Sequence, residues 1–150
     1  LTGAATALFS RKYIAVDQKM NWTDAQAYCR NKYADLAAFQ SDDDQDRYKN
    51  DAKSHCNSGC WIGLSRNLKE KTFAQWSEGS NVTFTQWGSN ERTNTMNYNC
   101  VYAEDDWYTD DCNNVRTFIC YIWKPDLIVV KELKTWEGAL KYCRTNYTDL

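Results

Sequence analysis

The chain has 150 residues, a formal net charge of −2, seven cysteines and an aromatic content of 15%. That length suits one domain with room for an appendage, and such a domain buries a sizeable core. The charge gives no argument for nucleic acid or an anionic membrane as partner, the cysteines favour an oxidising compartment, and no apolar run approaches the roughly 18 residues of a membrane span.

Residues 1–10, LTGAATALFS, are small and apolar. They read either as the tail of a signal peptide or as a disordered end. Lys12-Tyr13-Ile14-Ala15-Val16 is a plausible first strand. Asn21 then makes a good helix N-cap, with Asp24 three residues on as a variant capping box. Ala25, Tyr28, Cys29 and Lys32 follow at helical spacing, so Cys29 faces inward. Residues 36–39 form a short apolar link. Ser41 is the next N-cap, and Asp42, Asp43 and Asp44 fill a first turn where the helix dipole favours negative charge. The same run opens like an EF-hand calcium loop. It then fails, because Arg47 stands where glycine is needed and Lys53 where glutamate is needed.

The second helix should end before Cys56. His55, Cys56 and Cys60 offer too few ligands for zinc, which wants four; a local disulfide closing a turn is the better reading. Trp61-Ile62-Gly63-Leu64 reads as a central strand in which Gly63 admits a close backbone. Residues 75–80 read as a strand entering a turn, and Val82-Thr83-Phe84 alternates toward Trp87. Trp61 and Trp76 read as core. Trp107, set among acidic residues, is left open. The stretch 87–120 looks like one long polar loop pinned by Cys100, Cys112 and Cys120, and it ends in the apolar strand Thr117-Phe118-Ile119-Cys120-Tyr121. Asn21, Asn81 and Asn146 open glycosylation sequons.

Lys124-Pro125-Asp126, with the only proline, reads as a linker. After it the pattern restarts. Trp136, Ala139, Tyr142, Cys143, Arg144, Tyr147, Asp149 and Leu150 repeat Trp22, Ala25, Tyr28, Cys29, Arg30, Tyr33, Asp35 and Leu36 at one constant offset. A repeat of domain length implies a second unit cut off early. The expected organisation is a possible leader over 1–10, a domain over 11–123, a linker over 124–126, and the truncated start of a second domain over 127–150. There Thr135 would cap a helix and Cys143 would lack its partner. No catalytic residues can be named: there is one histidine, no nucleophile–base grouping, and nothing sets the carboxylates of 104–111 across a cleft.

Tyr28-Cys29-Arg30, the Trp61–Leu64 tetrapeptide, Phe73-x-x-Trp76-Ser77-x-Gly79, Cys100-Val101, Trp107 with Cys112, and Phe118-Ile119-Cys120 together resemble the C-type lectin-like domain. The repeat resembles tandem receptors of that family, such as mannose-receptor-like or fish lectin-like proteins. The resemblance implies an α+β fold, with two helices flanking small antiparallel sheets and a long disulfide-pinned loop. Six cysteines allow fifteen pairings. The resemblance selects Cys29–Cys120 and Cys100–Cys112, leaving Cys56–Cys60.

It also implies a non-enzymatic, extracellular binding module, either secreted or the ectodomain of a receptor, whose partner is a glycan or a protein. Ligand-loop candidates are Glu91, Asn94, Asn99, Glu104, Asp106, Trp107, Tyr108 and Asp110. Sugar-binding members use a calcium ion held by a Glu-Pro-Asn or Gln-Pro-Asp triplet, a glutamate before the loop cysteine and Asn-Asp after the loop tryptophan. Counted back from Cys100, the triplet falls on Asn90-Glu91-Arg92, the glutamate on Tyr98, and the Asn-Asp pair on Tyr108-Thr109. The expectation is no calcium at the sugar site, no other metal and no cofactor. Weak calcium binding by Glu104, Asp106, Asp110 and Asp111 after a shift of register stays open. Two alternatives are a calcium-dependent lectin and a protein-interaction or dimerisation subunit without a glycan ligand.

Overall fold

The computed structural model describes the backbone of residues 5–130, 140–141 and 143–145. The chain divides into two units, Arg11–Trp123 and a second made of Leu1–Ser10 with Lys124–Leu150. In order come β1 (Ala5–Met20), α1 (Trp22–Lys32), β2 (Asp35–Leu36), α2 (Asp42–Asp51), a 3-10 turn (Lys53–His55), β3 (Cys60–Ser65), β4 (Cys100–Ala103), β5 (Trp107–Asp110) and β6 (Arg116–Val130).

Both helices start where their caps place them. The Asp24 amide donates to Asn21 Oδ1 at 2.9 Å, and the Asp44 amide donates to Ser41 Oγ at 3.3 Å. Each bond satisfies one of the orphan donors of a first turn. α1 buries Trp22, Ala25 and Cys29. α2 buries Asp44, Gln45 and Tyr48, and Asp44 takes a buried ion pair from Arg11 at 3.1 Å.

The strands form one sheet in the order β1-β6-β3-β4-β5, with β2 added against β6. This differs from the expected set of small antiparallel sheets, because β3 runs parallel to β6 through Trp61 and Phe118. A parallel pair is covered on both faces, so its strands read as continuous apolar runs. Successive side chains alternate accordingly. Trp61, Phe118 and Cys120 join one core cluster with Trp22, Cys29 and Leu36. Ile62, Leu64, Ile119 and Tyr121 join the other with Tyr13, Phe39, Tyr48 and Trp107. Gly63 donates its amide to Ala37 O at 2.7 Å, and an added Cβ would lie 2.8 Å from that oxygen.

Three disulfides join Cys29 to Cys120, Cys56 to Cys60 and Cys100 to Cys112. The bridge within 56–60 closes the turn between the 3-10 helix and β3.

Several local readings need correction. The stretch 87–120 is not one long loop, since it carries β4, β5 and the start of β6. The irregular connection lies earlier, over 66–99, where residues 75–80 make isolated bridges and a turn and residues 82–84 are irregular, instead of strands. β1 begins at Ala5, so residues 5–10 are extended strand and not a disordered end. β6 continues through Lys124-Pro125-Asp126, since proline's fixed φ is compatible with extended backbone, and the Arg11–Trp123 unit ends just before that tripeptide. In the second unit, residues 140, 141 and 143–145 are helical and Cys143 is a buried free thiol. Thr135, Trp136, Ala139, Tyr142 and Asn146 lie outside the described residues.

Candidate functional site

The candidate ligand residues are carried by the β4–β5 hairpin and the connection that packs on it. Its register pairs Cys100 with Asp110, Val101 with Thr109, Tyr102 with Tyr108 and Ala103 with Trp107. Strand alternation therefore sends Val101, Ala103, Trp107 and Thr109 to the core and leaves Tyr102, Tyr108 and Asp110 half-buried on the opposite face.

Trp107 is consequently not a ligand contact. Its side chain is fully buried and is the hub of a ring cluster, with centroids 5.3 Å from Trp76, 5.6 Å from Phe39, 5.8 Å from Trp87 and 5.9 Å from Phe84. The neighbouring backbone is locked as well: Trp107 N donates to Gln86 O at 2.7 Å, and Gly88 N donates to Trp107 O at 2.9 Å.

The outward face is an aromatic and charged platform. Tyr102 and Tyr108 stack with centroids 5.6 Å apart. The Arg116 guanidinium lies 3.7 Å from the Tyr102 ring centroid and pairs with Asp110 at 2.7 Å. Burial pushes both tyrosine hydroxyls above their ordinary value; Arg116 opposes this at Tyr102, while Asp106 and Glu104 reinforce it at Tyr108. Burial also pushes the Asp110 carboxyl up. Hydrogen bonds from Arg116, Asn114 and the Asp111 amide outweigh it and hold that carboxyl below the usual range.

Glu91 is the sharpest test of the calcium reading. Its Oε1 accepts the Thr109 amide at 3.0 Å and also the Thr109 hydroxyl. On the register expected from the sequence resemblance, Glu91 and Thr109 stand at positions assigned to calcium ligands. Here the carboxylate is spent on the strand itself, and Tyr108 puts an aromatic ring where an amide would stand. Calcium takes six to eight oxygens, and this set does not fit one. The acidic residues of the hairpin do not converge either. Glu104 and Asp106 sit at its turn, where Tyr48 donates to Glu104 O at 2.7 Å and Gln86 donates to Asp106 at 3.0 Å. Asp110 lies four residues along the strand, about 13 Å away at strand rise. Among the described residues no group of three or more His, Cys, Asp or Glu could hold a metal ion.

Asn99 accepts from Arg66 Nε at 2.9 Å, and Asn94 is exposed on the connection before it. Neither joins the platform. Asn21 caps α1 through Oδ1, and Asn81 is exposed.

The sequence reading missed an open cleft of about 480 Å³. Its walls include Trp22 and Gln26 of α1, Arg66 and Glu70 after β3, and Trp76 and Asn81 of the following turn. No local motif announces it, because its residues come from three distant segments.

The comparisons agree with this architecture. The family described as "Lectin C-type domain" matches residues 18–122. "Lectin BRA-3" of Megabalanus rosa is 33% identical over 115 residues, covering 72% of this chain and 68% of that protein. "Lymphocyte antigen 75" of Homo sapiens is 30% identical over 118 residues, 72% of this chain but only 7% of that much longer protein. The solved structure of human lithostathine superposes with a TM-score of 0.69 at 23% identity, covering 80% of this chain and 97% of that one.

Proposed function

This chain belongs to the C-type lectin domain family, and we propose that its ligand docks on the β4–β5 platform without calcium. The family makes it a ligand-binding module, not a typical enzyme, whose ligands are glycans or proteins. The observation that carries the calcium-free reading is Glu91, whose carboxylate is engaged by Thr109 through both backbone and hydroxyl. With Trp107 buried, the surface left for contact is Tyr108, Tyr102 and the acidic turn at Glu104, Asp105 and Asp106. Flat rings rimmed by carboxylates suit a basic patch on a protein partner. The cysteine pairs and sequons support an extracellular setting, secreted or as a receptor ectodomain. The repeat at 136–150 supports a longer protein with such domains in tandem, joined at 124–126.

Isothermal titration of the domain with calcium tests this. No heat of specific binding is expected at micromolar to low-millimolar calcium. Binding in that range, abolished by Glu91→Ala or Asp110→Ala, sinks the reading. A second reading, glycan recognition, is favoured by the likeness to a protein named as a lectin. A glycan array run with a chelator separates it: a sugar signal that survives keeps the calcium-free platform and replaces the protein partner.

A further inference from the structure

The cleft between α1 and the turn at 74–81 lies apart from the β4–β5 platform and plays no part in the function proposed above. Its volume of about 480 Å³ falls within the range of about 300–1,000 Å³ for small-ligand sites. Its lining is rich in amides. Gln26 spends Nε2 on Ser77 Oγ at 2.8 Å, which leaves its carbonyl oxygen. Asn67 spends Oδ1 on the amides of Lys69 and Glu70 at 3.0 and 3.1 Å, which leaves its NH2 group. Gln75 and Asn81 face each other across a bridge, and both line the cleft. Trp22 and Trp76 supply apolar wall.

Arg66, the one guanidinium among the described residues of the wall, is already committed. Arg66 donates to Asn99 Oδ1 at 2.9 Å and Tyr98 O at 3.1 Å, and lies 4.5 Å from the Phe73 ring centroid. An anionic ligand therefore finds no free cation among the described lining residues. Spare amide donors and acceptors beside indole match a neutral ligand rich in hydroxyl and acetamido groups.

Such a ligand has an attachment point on the cleft itself. Asn81-Val82-Thr83 is a glycosylation sequon, and Asn81 and Thr83 are both exposed. The turn holding Asn81 is fixed by bonds from Trp76 N to Ser80 O at 2.9 Å and from Val82 N to Ala74 O at 2.8 Å. We propose that an N-glycan on Asn81 folds back over this cleft, with its first sugars filling it. The donor is a lipid-linked oligosaccharide pyrophosphate. Asn81 Nδ2 forms the bond to sugar C1, the C1–O bond to pyrophosphate breaks, the lipid pyrophosphate leaves with the electron pair, and one amide proton is released. Covalent tethering makes the docking intramolecular at a millimolar effective concentration, so weak hydrogen bonds suffice to keep the cleft covered.

The test uses the whole chain secreted from eukaryotic cells. Peptide mapping reads occupancy at Asn81. Carbodiimide coupling of glycine ethyl ester reads the accessibility of Glu70 on the cleft wall, with exposed Asp43 as reference. Three forms are compared with the native glycoprotein: enzymatic deglycosylation without denaturation, Thr83→Ala, which abolishes the sequon but keeps Asn81, and Thr83→Ser, which keeps both. The expected result is an occupied Asn81 and a several-fold rise in Glu70 labelling in the first two forms only, with Asp43 unchanged. An unmodified Asn81, or Glu70 labelling that is equal in all forms, overturns the proposal.

Discussion

Two regions of the Arg11–Trp123 unit solve the same problem of backbone satisfaction in different ways. The framework, residues 11–65 with 116–123, is built of capped helices and paired strands, so its peptide groups are satisfied by regular ladders. The connection over 66–99 contains no helix and no named strand. It is held from below by rings: Phe73 packs on Trp87 at 5.5 Å, and Trp76, Phe84 and Trp87 converge on Trp107. Gln86 then ties it to the hairpin turn at Asp106 and Glu91 to β5 at Thr109, while Arg66 and Asn99 join its two ends. The framework is stabilised by local geometry, while the connection borrows its order from a single buried hub. The exposed surface of a binding domain can thus vary while the hub stays.

The framework carries a long bridge and the β4–β5 hairpin beside the connection a short one, and the two give the largest expected contrast. Cys29–Cys120 spans 91 residues of chain and Cys100–Cys112 spans 12. On loop-closure entropy the first contributes about 4–5 kcal/mol and the second about 3 kcal/mol. Chemical denaturation of the Cys29→Ala/Cys120→Ala and Cys100→Ala/Cys112→Ala proteins should show that order, after non-reducing peptide mapping has found all three pairs in the parent. A costlier loss from the narrow bridge would mean that the hairpin, not the framework, dominates stability.

Trp107 is the next lever. Trp107→Ala should cost about 3–5 kcal/mol, as for large aromatic truncations in cores. The loss should be uneven: hydrogen exchange should accelerate through 73–87 while the α1 amides keep their protection. Trp107→Phe should be milder than its volume change suggests, because the buried indole N–H has no hydrogen-bond partner among the described residues and phenylalanine removes that unmet donor. Uniform loss of protection across both regions would show that the hub supports the whole unit.

The same division explains what could be read in advance. Asn21, Ser41, Cys29 and Gly63 were legible because caps, helical spacing and close approach are local or nearly local signals. Trp107 was misread because the acidic residues around it, 104–106 and 110–111, hide a strand alternation only four residues long. Its burial depends on partners at 39, 76, 84 and 87, which no local window contains. Glu91 was identified as a ligand candidate, but its actual partner, Thr109, is fixed only by the pairing of β5. The cleft escaped for a similar reason, since three separated segments build it.

The smallest effect lies where the hairpin meets the framework, at Asp110 of β5 and Arg116 of β6. Asp110 Oδ2 takes Arg116 Nη2 at 2.7 Å and Nε at 3.3 Å, and Oδ1 takes Asn114 Nδ2 at 3.0 Å and the Asp111 amide at 2.8 Å. These bonds favour the charged carboxylate more than burial penalises it, so the folded-state value lies below the ordinary one. A carboxyl lowered in the folded state contributes stability that is fully present above its unfolded value of about 4 and is lost as pH falls through the folded value. Asp110→Asn keeps the shape and one acceptor but removes the charge. The expected cost is about 1 kcal/mol at pH 6, modest because the pair is partly solvated. Once pH has fallen through the folded value the wild-type carboxyl is itself protonated and neutral, so the gap should close. Urea unfolding of both proteins in a pH series descending from about 6 measures it. A gap that stays constant down to the acid-unfolding limit would assign the contribution to shape and hydrogen bonding alone, and the electrostatic account of this pair would be wrong.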